Sequence, residues 1–289
     1  MKNDLVFKCH NCGVGRSFGG FLKDNAPDMY EDYVIERYKA GLGSKRSGID
    51  PKFGAEQRKS MFSKSSQPFM KKPIDLQKIV DLNISHPAKQ YLDDRKISND
   101  AQNRLYYVDR FQSWVNTQKE TFPDIKQDHG RIIIPLISPD GSWFGFQGRS
   151  LNPVDNMRYI TIMLDESKPK IFGMDQVNKD EILYITEGAF DSFFIKNSIA
   201  MCGADASPAM WGINDPVWIY DNEPRNREIV SRVSRAVDLG QKVVIWPSTI
   251  EEKDINSMVL AGRDAQSIVE SNVYSGLEAT VKLSFWKKV

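Results

Sequence analysis

The chain has 289 residues and sets 39 Lys or Arg against 38 Asp or Glu, a net charge of +1. Overall charge therefore neither demands nor excludes a polyanionic partner. That length leaves room for two domains and a sizeable core. No apolar run approaches a membrane span, Met1-Lys2-Asn3-Asp4 is not a secretion signal, and three cysteines cannot build a disulfide framework, which together predict a cytoplasmic protein with no membrane partner.

The first feature in chain order is Phe7-Lys8-Cys9-His10-Asn11-Cys12-Gly13. C-x-x-C followed by Gly is a tight turn that aims two thiolates at one Zn²⁺. A closed site needs four donors; Cys202 is remote in sequence, and His10 sits beside Cys9, where it would be strained onto the same ion. Cys9 and Cys12 thus read as an incomplete zinc site, half of a zinc ribbon over residues 1–25. The stretch 26–84 reads as a flexible basic linker. Between Glu36 and Lys72 its glycines, prolines and serines leave little apolar periodicity, and its basic residues far outnumber Glu36, Asp50 and Glu56.

Ordered structure is expected to resume near Ser85, with a short helix over Pro87-Ala88-Lys89-Gln90-Tyr91-Leu92 and another from Asn99. Arg131–Ile137 reads as a strand, Ser138-Pro139-Asp140-Gly141 as a turn, and Trp143–Arg149 as the returning arm of a hairpin. Gly145 and Gly148, set among bulky residues, suggest close approach of backbone or ligand. Residues 85–180 are read as an α+β basic subdomain.

From Glu181 the pattern becomes strand, helix, strand, helix, with strands at 182–186, 199–202, 217–221 and 242–246, a short helix around Ala209, and a long amphipathic helix from about Arg225 to Leu239. Alternation of this kind predicts a parallel sheet flanked by helices over 181–263, with ligands beyond the carboxyl ends of the strands. Residues 264–289 read as a helical tail ending in an exposed-looking Phe285-Trp286-Lys287-Lys288.

Glu187, Asp221, Glu223 and Asp254 each fall just past a predicted strand end, and Asp191 lies one helical turn beyond Glu187. Alone, an Asp at a strand end is usually a cap or a turn residue. Gathered at one sheet edge, such acids repel one another unless a cation sits among them. Mg²⁺ (or Mn²⁺) suits the set, because it takes hard oxygen ligands and shares its shell with substrate phosphates. Upstream, Arg131, Arg149, Arg158 and Lys170 sit at the ends of the hairpin and strands, where they could hold a nucleotide triphosphate or a strand backbone.

Glu187-Gly188-x-x-Asp191, Asp221-x-Glu223 and Lys253-Asp254-x-Asn256 resemble the Toprim fold of primases, topoisomerases and some nucleases. Tyr91-Leu92-x-x-Arg95-x-Ile97-Ser98, Arg131-Ile-Ile-Ile-Pro135 and Gly145-Phe-x-Gly148-Arg149 resemble the basic half of the RNA polymerase domain of bacterial-type replicative primases. The wording is most similar to the stand-alone primases of large tailed phages, and it covers most of the chain apart from linker and tail. The fold class the resemblance implies is an α/β Toprim domain preceded by an α+β basic subdomain, with a partial zinc ribbon at the N-terminus.

The same resemblance implies a DNA-directed RNA polymerase that makes short primers on single-stranded DNA from ribonucleoside triphosphates. It implies Glu187, Asp221 and Glu223 as magnesium ligands, Asp191 and Asp254 as further acidic positions, and Arg131, Arg149, Arg158, Lys170 and Lys253 as nucleotide or template contacts. Two positions depart from the family pattern. The second motif reads D-x-E where many members have D-x-D, and the zinc ribbon lacks its first ligand pair. No helicase motor follows the Toprim region, which implies a separate replicative helicase as partner. Two alternatives stand beside this reading: a Toprim nuclease hydrolysing phosphodiesters with the same acids, and a truncated, inactive primase that grips DNA or helicase.

Overall fold

In the computed structural model the described residues are 6–8, 15–18, 22, 76–125, 128–155, 157–202, 212–213 and 215–289. Cys9 and Cys12, the segment between Glu36 and Lys72, and the helix expected around Ala209 lie outside them. The chain divides into Met1–Ser66 and Gln67–Val289. In the first unit, β1 (Val6–Lys8) and β2 (Gly15–Ser17) pair antiparallel, with Phe7 opposite Arg16.

The second unit contains two sheets. One has five antiparallel strands in the order β3-β4-β5-β6-β7: Gln77–Lys78, Tyr106–Val108, Arg131–Ile137, Trp143–Ser150 and Tyr159–Met163. The predicted hairpin is its centre, with Ile133 opposite Gly148. Residues alternate along β5, so Ile132, Ile134 and Leu136 enter one core while Ile133 enters another.

Helix α1 (Pro87–Asp94) starts where expected and runs on to Asp94; His86 is its cap, and its ring nitrogen accepts the Ala88 N–H. Helix α2 (Asn99–Gln102) is capped by Ser98, whose hydroxyl accepts the Ala101 N–H. Helix α3 (Phe111–Gln118) has no sequence-based expectation behind it. Its first turn is capped from a distance: the Asp128 carboxylate accepts the N–H groups of Gln112 and Ser113 at 2.7 and 2.9 Å. The cap position holds Arg110, which makes no capping hydrogen bond, so the usual start signal of a Ser, Thr, Asp or Asn there is missing. Phe111 of α3 packs on Gly148, where a Cβ would overlap its ring, so the close approach anticipated at that glycine is by an aromatic side chain.

The other sheet has the order β13-β12-β11-β9-β10-β8. Four strands, β9 (Tyr184–Thr186), β10 (Ser198–Met201), β11 (Val217–Ile219) and β12 (Lys242–Val244), are parallel, as the alternation predicted. The sheet also has antiparallel edges that the sequence reading did not anticipate. β8 (Ile171–Phe172), from the stretch read as the basic subdomain, pairs with β10, and β13 (Val273–Tyr274), from the stretch read as a helical tail, pairs with β12. Two-residue strands are too short to carry a period-2 signal.

Helix α4 (Ala189–Ser192) follows β9 and is a short helix of four residues. Helix α5 (Arg227–Asp238) matches the amphipathic prediction, burying Ile229, Val230, Val233, Ala236 and Val237 against the sheet. Then come α6 (Ile255–Leu260), α7 (Ala265–Glu270) and α8 (Gly276–Trp286). The C-terminal tetrapeptide, expected to be exposed, divides: Phe285 faces solvent, whereas Trp286 is buried in the core with Ala279 and Leu283. One hydrophobic cluster joins the two sheets, with Ile132, Leu136 and Phe144 from one and Phe172, Phe190 and Ala200 from beside the other. Among the described residues no helix is long and apolar enough to cross a membrane.

Candidate active site

From β9 the chain passes through α4 to β10 on one side, while β11 lies on the other. The crevice beyond the carboxyl ends of β9 and β11 is therefore a topological switch point, the usual place for a ligand on a parallel sheet. Ile219 pairs with Thr186, so the register brings Glu187, the residue after β9, beside the Tyr220-Asp221 exit of β11. Asn222 ties this exit to the segment after β12. Its N–H donates to the Lys253 carbonyl at 2.6 Å, and its Nδ2 to the carbonyls of Ile250 and Glu252 at 2.9 and 3.1 Å.

Three of the five predicted acids, Glu187, Asp191 and Asp221, are shifted upward, and each is repelled by other acids of the set. Burial, then the Asp221 charge, pushes the Glu187 carboxyl up to about 7, with Glu223 adding to it and Arg232 opposing. Burial also pushes Asp191 up to about 7, aided by Asp254 and Asp221 and opposed by a backbone hydrogen bond from Asn256. Asp221 is raised to about 6 by burial, against the pull of Lys253 and with repulsion from Asp254 and Glu223. Asp254 caps α6, its Oδ1 accepting the Ser257 N–H at 2.7 Å. That is the ordinary role of a strand-end Asp, held here within reach of Asp191 and Asp221.

Two cations already contact this edge. Lys253 Nζ lies 3.3 Å from Glu223 Oε1 and 3.7 Å from Asp221 Oδ2. Burial of Lys253 opposes its charge, but Asp221 and Glu223 outweigh that and its pKa is raised. Arg232 of α5 approaches Glu187 Oε1 at 3.4 Å and pairs with Glu228 one turn away at 2.6 Å. Arg232 was not among the predicted site residues; only its i,i+4 pairing with Glu228 was visible in sequence. Gly188 is required by packing rather than by its backbone angles. A Cβ there would stand 2.9 Å from Asp191 Oδ2, which explains the glycine in E-G-x-x-D.

Hard carboxylate oxygens raised toward neutral pKa by burial and by mutual repulsion fit a divalent cation, whose charge would favour their ionised forms. Among the described residues, no three or more His, Cys, Asp or Glu side chains form a metal cage by themselves. An ion held by fewer side chains would complete its shell with water and substrate phosphates.

The basic residues divide. Arg131, predicted as a nucleotide or template contact, is only 3% exposed. Its guanidinium pairs with Asp155 at 2.6 Å and donates to the carbonyls of Met157 and Gly148 at 2.8 and 3.2 Å. It ties the central strand β5 to β6 and to the segment leading into β7, and offers no face to phosphate, because β5 is buried at its start as well as its middle. Arg149 is half-buried, its guanidinium carbon 4.5 Å from the centre of the Tyr159 ring and 5.7 Å from that of Tyr91. Arg158 and Lys170 are exposed, and Lys170 shares a cavity of about 590 Å³ with Lys119 and Lys168.

Arg95, in a quoted motif but not among the predicted contacts, sits over Tyr91 at 4.9 Å and Phe190 at 5.7 Å. Its Nη1 donates to Asn256 Oδ1 at 2.6 Å, Asn256 Nδ2 donates to the Arg95 carbonyl at 2.8 Å, and the Asn256 N–H donates to Asp191 Oδ1 at 2.9 Å. The basic and acidic halves are thereby joined at one buried asparagine. Both residues stood in the sequence motifs, but no spacing rule predicts a contact between residues 161 apart.

The chain is 31% identical over 293 residues to the DNA primase of Enterobacteria phage T4, covering 99% of this chain and 83% of that one. No protein-family model matches it. Its fold is similar to that of the Aquifex aeolicus primase, solved with zinc binding and RNA polymerase domains (TM-score 0.51, 18% identity, 97% of this chain and 79% of that one). It is also similar to the DnaG primase catalytic domain solved bound to ssDNA (TM-score 0.53, 16% identity, 73% of this chain and 78% of that one).

Proposed function

The chain belongs to the DNA primases, RNA polymerases that synthesise primers on single-stranded DNA, and from that premise we propose that Glu187, Asp221 and Glu223 form the nucleotidyl-transfer centre, with Asp191 and Asp254 behind them. The observation that carries this reading is the convergence of Glu187 and the Asp221–Glu223 loop at the switch point between β9 and β11, set by the Thr186–Ile219 register, with Lys253 beside both Asp221 and Glu223.

In the reaction a 3′-hydroxyl attacks the α-phosphorus of an incoming ribonucleotide, a phosphodiester forms, and the bond to the β-phosphate oxygen breaks to release pyrophosphate. Mg²⁺ bound by Glu187, Asp221 and Glu223 would supply Lewis-acid stabilisation of the charge that develops on the phosphoryl oxygens. The protein's own part is largely positioning. Asn222 fixes the loop that carries Asp221 and Glu223 through its bonds to Ile250, Glu252 and Lys253. Asn256 orients Asp191 and sets Arg95 beside it. Arg149, Arg158 and Lys170 are proposed to hold phosphates of nucleotide or template, and Lys253 to balance the acids until a phosphate or metal replaces it. Arg131 is not included, because it is buried against Asp155.

Zn²⁺ on Cys9 and Cys12, a separate replicative helicase as partner, and a division near residue 25 belong to the same proposal, whereas sheet pairing runs across residues 84, 180 and 263, joining β3 to β4, β8 to β10 and β13 to β12. Metal analysis tests the first, and stimulation of priming by added helicase tests the second. The central test is a priming assay with labelled single strands, Mg²⁺ and NTPs. Extended products are expected from the native protein and none from Glu187→Gln. Full synthesis by that variant would remove Glu187 from the centre, and cleavage of the strand in place of extension would restore the nuclease reading.

A further inference from the structure

A second cavity, of about 670 Å³, opens on another face of the Asp221–Glu223 loop. Asn222 forms part of its wall and Trp286 another part, and the two are bonded, the indole N–H donating to Asn222 Oδ1 at 2.9 Å. Three cations line the cavity: Arg225 after the loop, and Lys282 and Lys288 from α8 and its end. Glu251 is the only acid among the lining residues. Two rings stand beside the cations. Tyr274 carries Lys282 Nζ 5.0 Å from its centroid, and Phe285 is 81% exposed.

A lone exposed phenylalanine needs no explanation, and three surface cations alone would be solvated charge. Here they share one concave site whose volume lies in the ordinary range for a small ligand. Excess positive charge beside accessible aromatic faces is the chemistry that holds single-stranded nucleic acid, phosphate on the cations and base on the rings. None of the functions argued above uses these groups.

We propose that this cavity binds a nucleotide unit of single-stranded nucleic acid, alongside the loop bearing Asp221 and Glu223. The choice of a strand over other anions rests on the primase reading; the choice of base plus phosphate rests on the lining residues. A strand held there would lie against the Asn222–Trp286 contact and so next to the proposed transfer centre.

The test is photocrosslinking of the full chain to an oligothymidylate carrying 5-iodouracil, with the modified residue mapped by peptide mass spectrometry. Crosslinks at Tyr274 or Phe285 are expected. In solution, Lys282→Glu/Lys288→Glu should weaken oligonucleotide binding about tenfold and flatten the log affinity against log salt slope by about 2. Phe285→Ser, at an exposed position where the fold does not depend on the ring, should weaken it about fivefold. Crosslinks confined to other residues, with both variants binding like the native protein, would overturn the proposal. So would labelling of Tyr274 or Phe285 by an azido-ATP probe that the oligonucleotide fails to displace, which would assign the cavity to free nucleotide. Glu187→Gln separates the two readings: crosslinking at the cavity should persist in that variant, and retained priming there would count against the proposed centre while leaving the cavity result standing.

Discussion

Arg95 and Asn256 hold each other by two hydrogen bonds running in opposite directions, guanidinium to side-chain carbonyl at 2.6 Å and side-chain amide to backbone carbonyl at 2.8 Å. Asn256 is 2% exposed, so its amide has no water to fall back on. Its backbone N–H, spent on Asp191, makes the same residue the link between the arginine-bearing segment after α1 and the acidic sheet edge. Asn256→Ala would leave Arg95 without its acceptor and a backbone carbonyl without its donor. A loss of about 1–3 kcal/mol in unfolding free energy is expected. Priming should fall further than stability accounts for, because Arg95 would be free to leave the Asp191 side. Denaturant unfolding beside a priming assay at a temperature where the variant is fully folded checks both; unchanged priming would mean that the bridge is structural only.

Glu187, Asp191 and Asp221 set a pH dependence whose sign follows from their raised values. All three bind protons more tightly in the folded chain than unfolded, with folded values of about 7, 7 and 6. The stability tied to their protonated forms is fully present below their unfolded values near pH 4 and is lost as pH rises through about 6 and 7. Metal-free protein should therefore lose stability from these groups as pH rises from about 4 to about 7. Mg²⁺ should restore it, raising Tm by roughly 5–10 °C at a hundredfold excess over Kd near pH 7.5, and much less at pH 5, where protons compete for the same oxygens. Melting curves with Mg²⁺ and with chelator at the two pH values check this. Equal shifts at both would show that the ion does not bind the titrating acids.

Much of this candidate site is legible in the sequence. The parallel strands ending in Glu187 and Asp221 follow from apolar runs interrupted by carboxylates, and α5 follows from its one-sided Ile and Val positions. What was hidden was hidden for physical reasons. The edges β8 and β13 are two-residue strands defined by their partners rather than by their own pattern. Helix α3 takes its cap from Asp128, beyond its other end in sequence. Arg131 looked like a phosphate contact because arginine at a strand end usually faces water, and its partner Asp155 lies 24 residues away. Trp286 read as an exposed tail residue because the asparagine that receives its N–H is 64 residues upstream.

Arg131 and Arg149 should accordingly fail in different ways. Removing one member of a buried ion pair leaves the other uncompensated, so Arg131→Ala is expected to cost about 3–5 kcal/mol of stability. Arg131→Ala/Asp155→Ala should cost less than the sum of its parts, because the buried charges leave together. Arg149→Ala should change stability by less and reduce priming by raising KM for nucleotide or template. A double-mutant unfolding cycle tests the first pair and steady-state kinetics the second. An Arg131 variant that is fully stable yet inactive would return that residue to the substrate.

Gly188 is open to a one-atom test. A Cβ at this position would stand 2.9 Å from Asp191 Oδ2, closer than ordinary contact, so Gly188→Ala should push the carboxylate from its place beside Asn256. The backbone there has an extended φ of −112°, which alanine adopts without strain. Stability should change by less than about 1 kcal/mol, while kcat for primer extension falls at least severalfold. Native kcat in a well-folded Gly188→Ala protein would mean that the Asp191 orientation does not matter to the reaction.

Lys253 supplies the last contrast, because it is the cation now beside Glu223 and Asp221, at 3.3 and 3.7 Å. Its side chain is 56% exposed, so water and salt screen both contacts, and Lys253→Met should cost under about 1 kcal/mol in metal-free protein. Its effect on metal should be larger in proportion. With the ammonium gone, Asp221 and Glu223 repel each other without a counter-charge, and a divalent ion becomes the nearest source of relief. The Mg²⁺-dependent rise in Tm near pH 7.5 should therefore be greater in the variant than in the native chain. Priming should nonetheless slow if the ammonium moves to a phosphate during the reaction, since methionine cannot follow it there. Parallel melting and priming titrations with Mg²⁺ separate the two roles. A smaller Mg²⁺ shift in Lys253→Met would show that the lysine helps to build the metal site and does not merely hold its place.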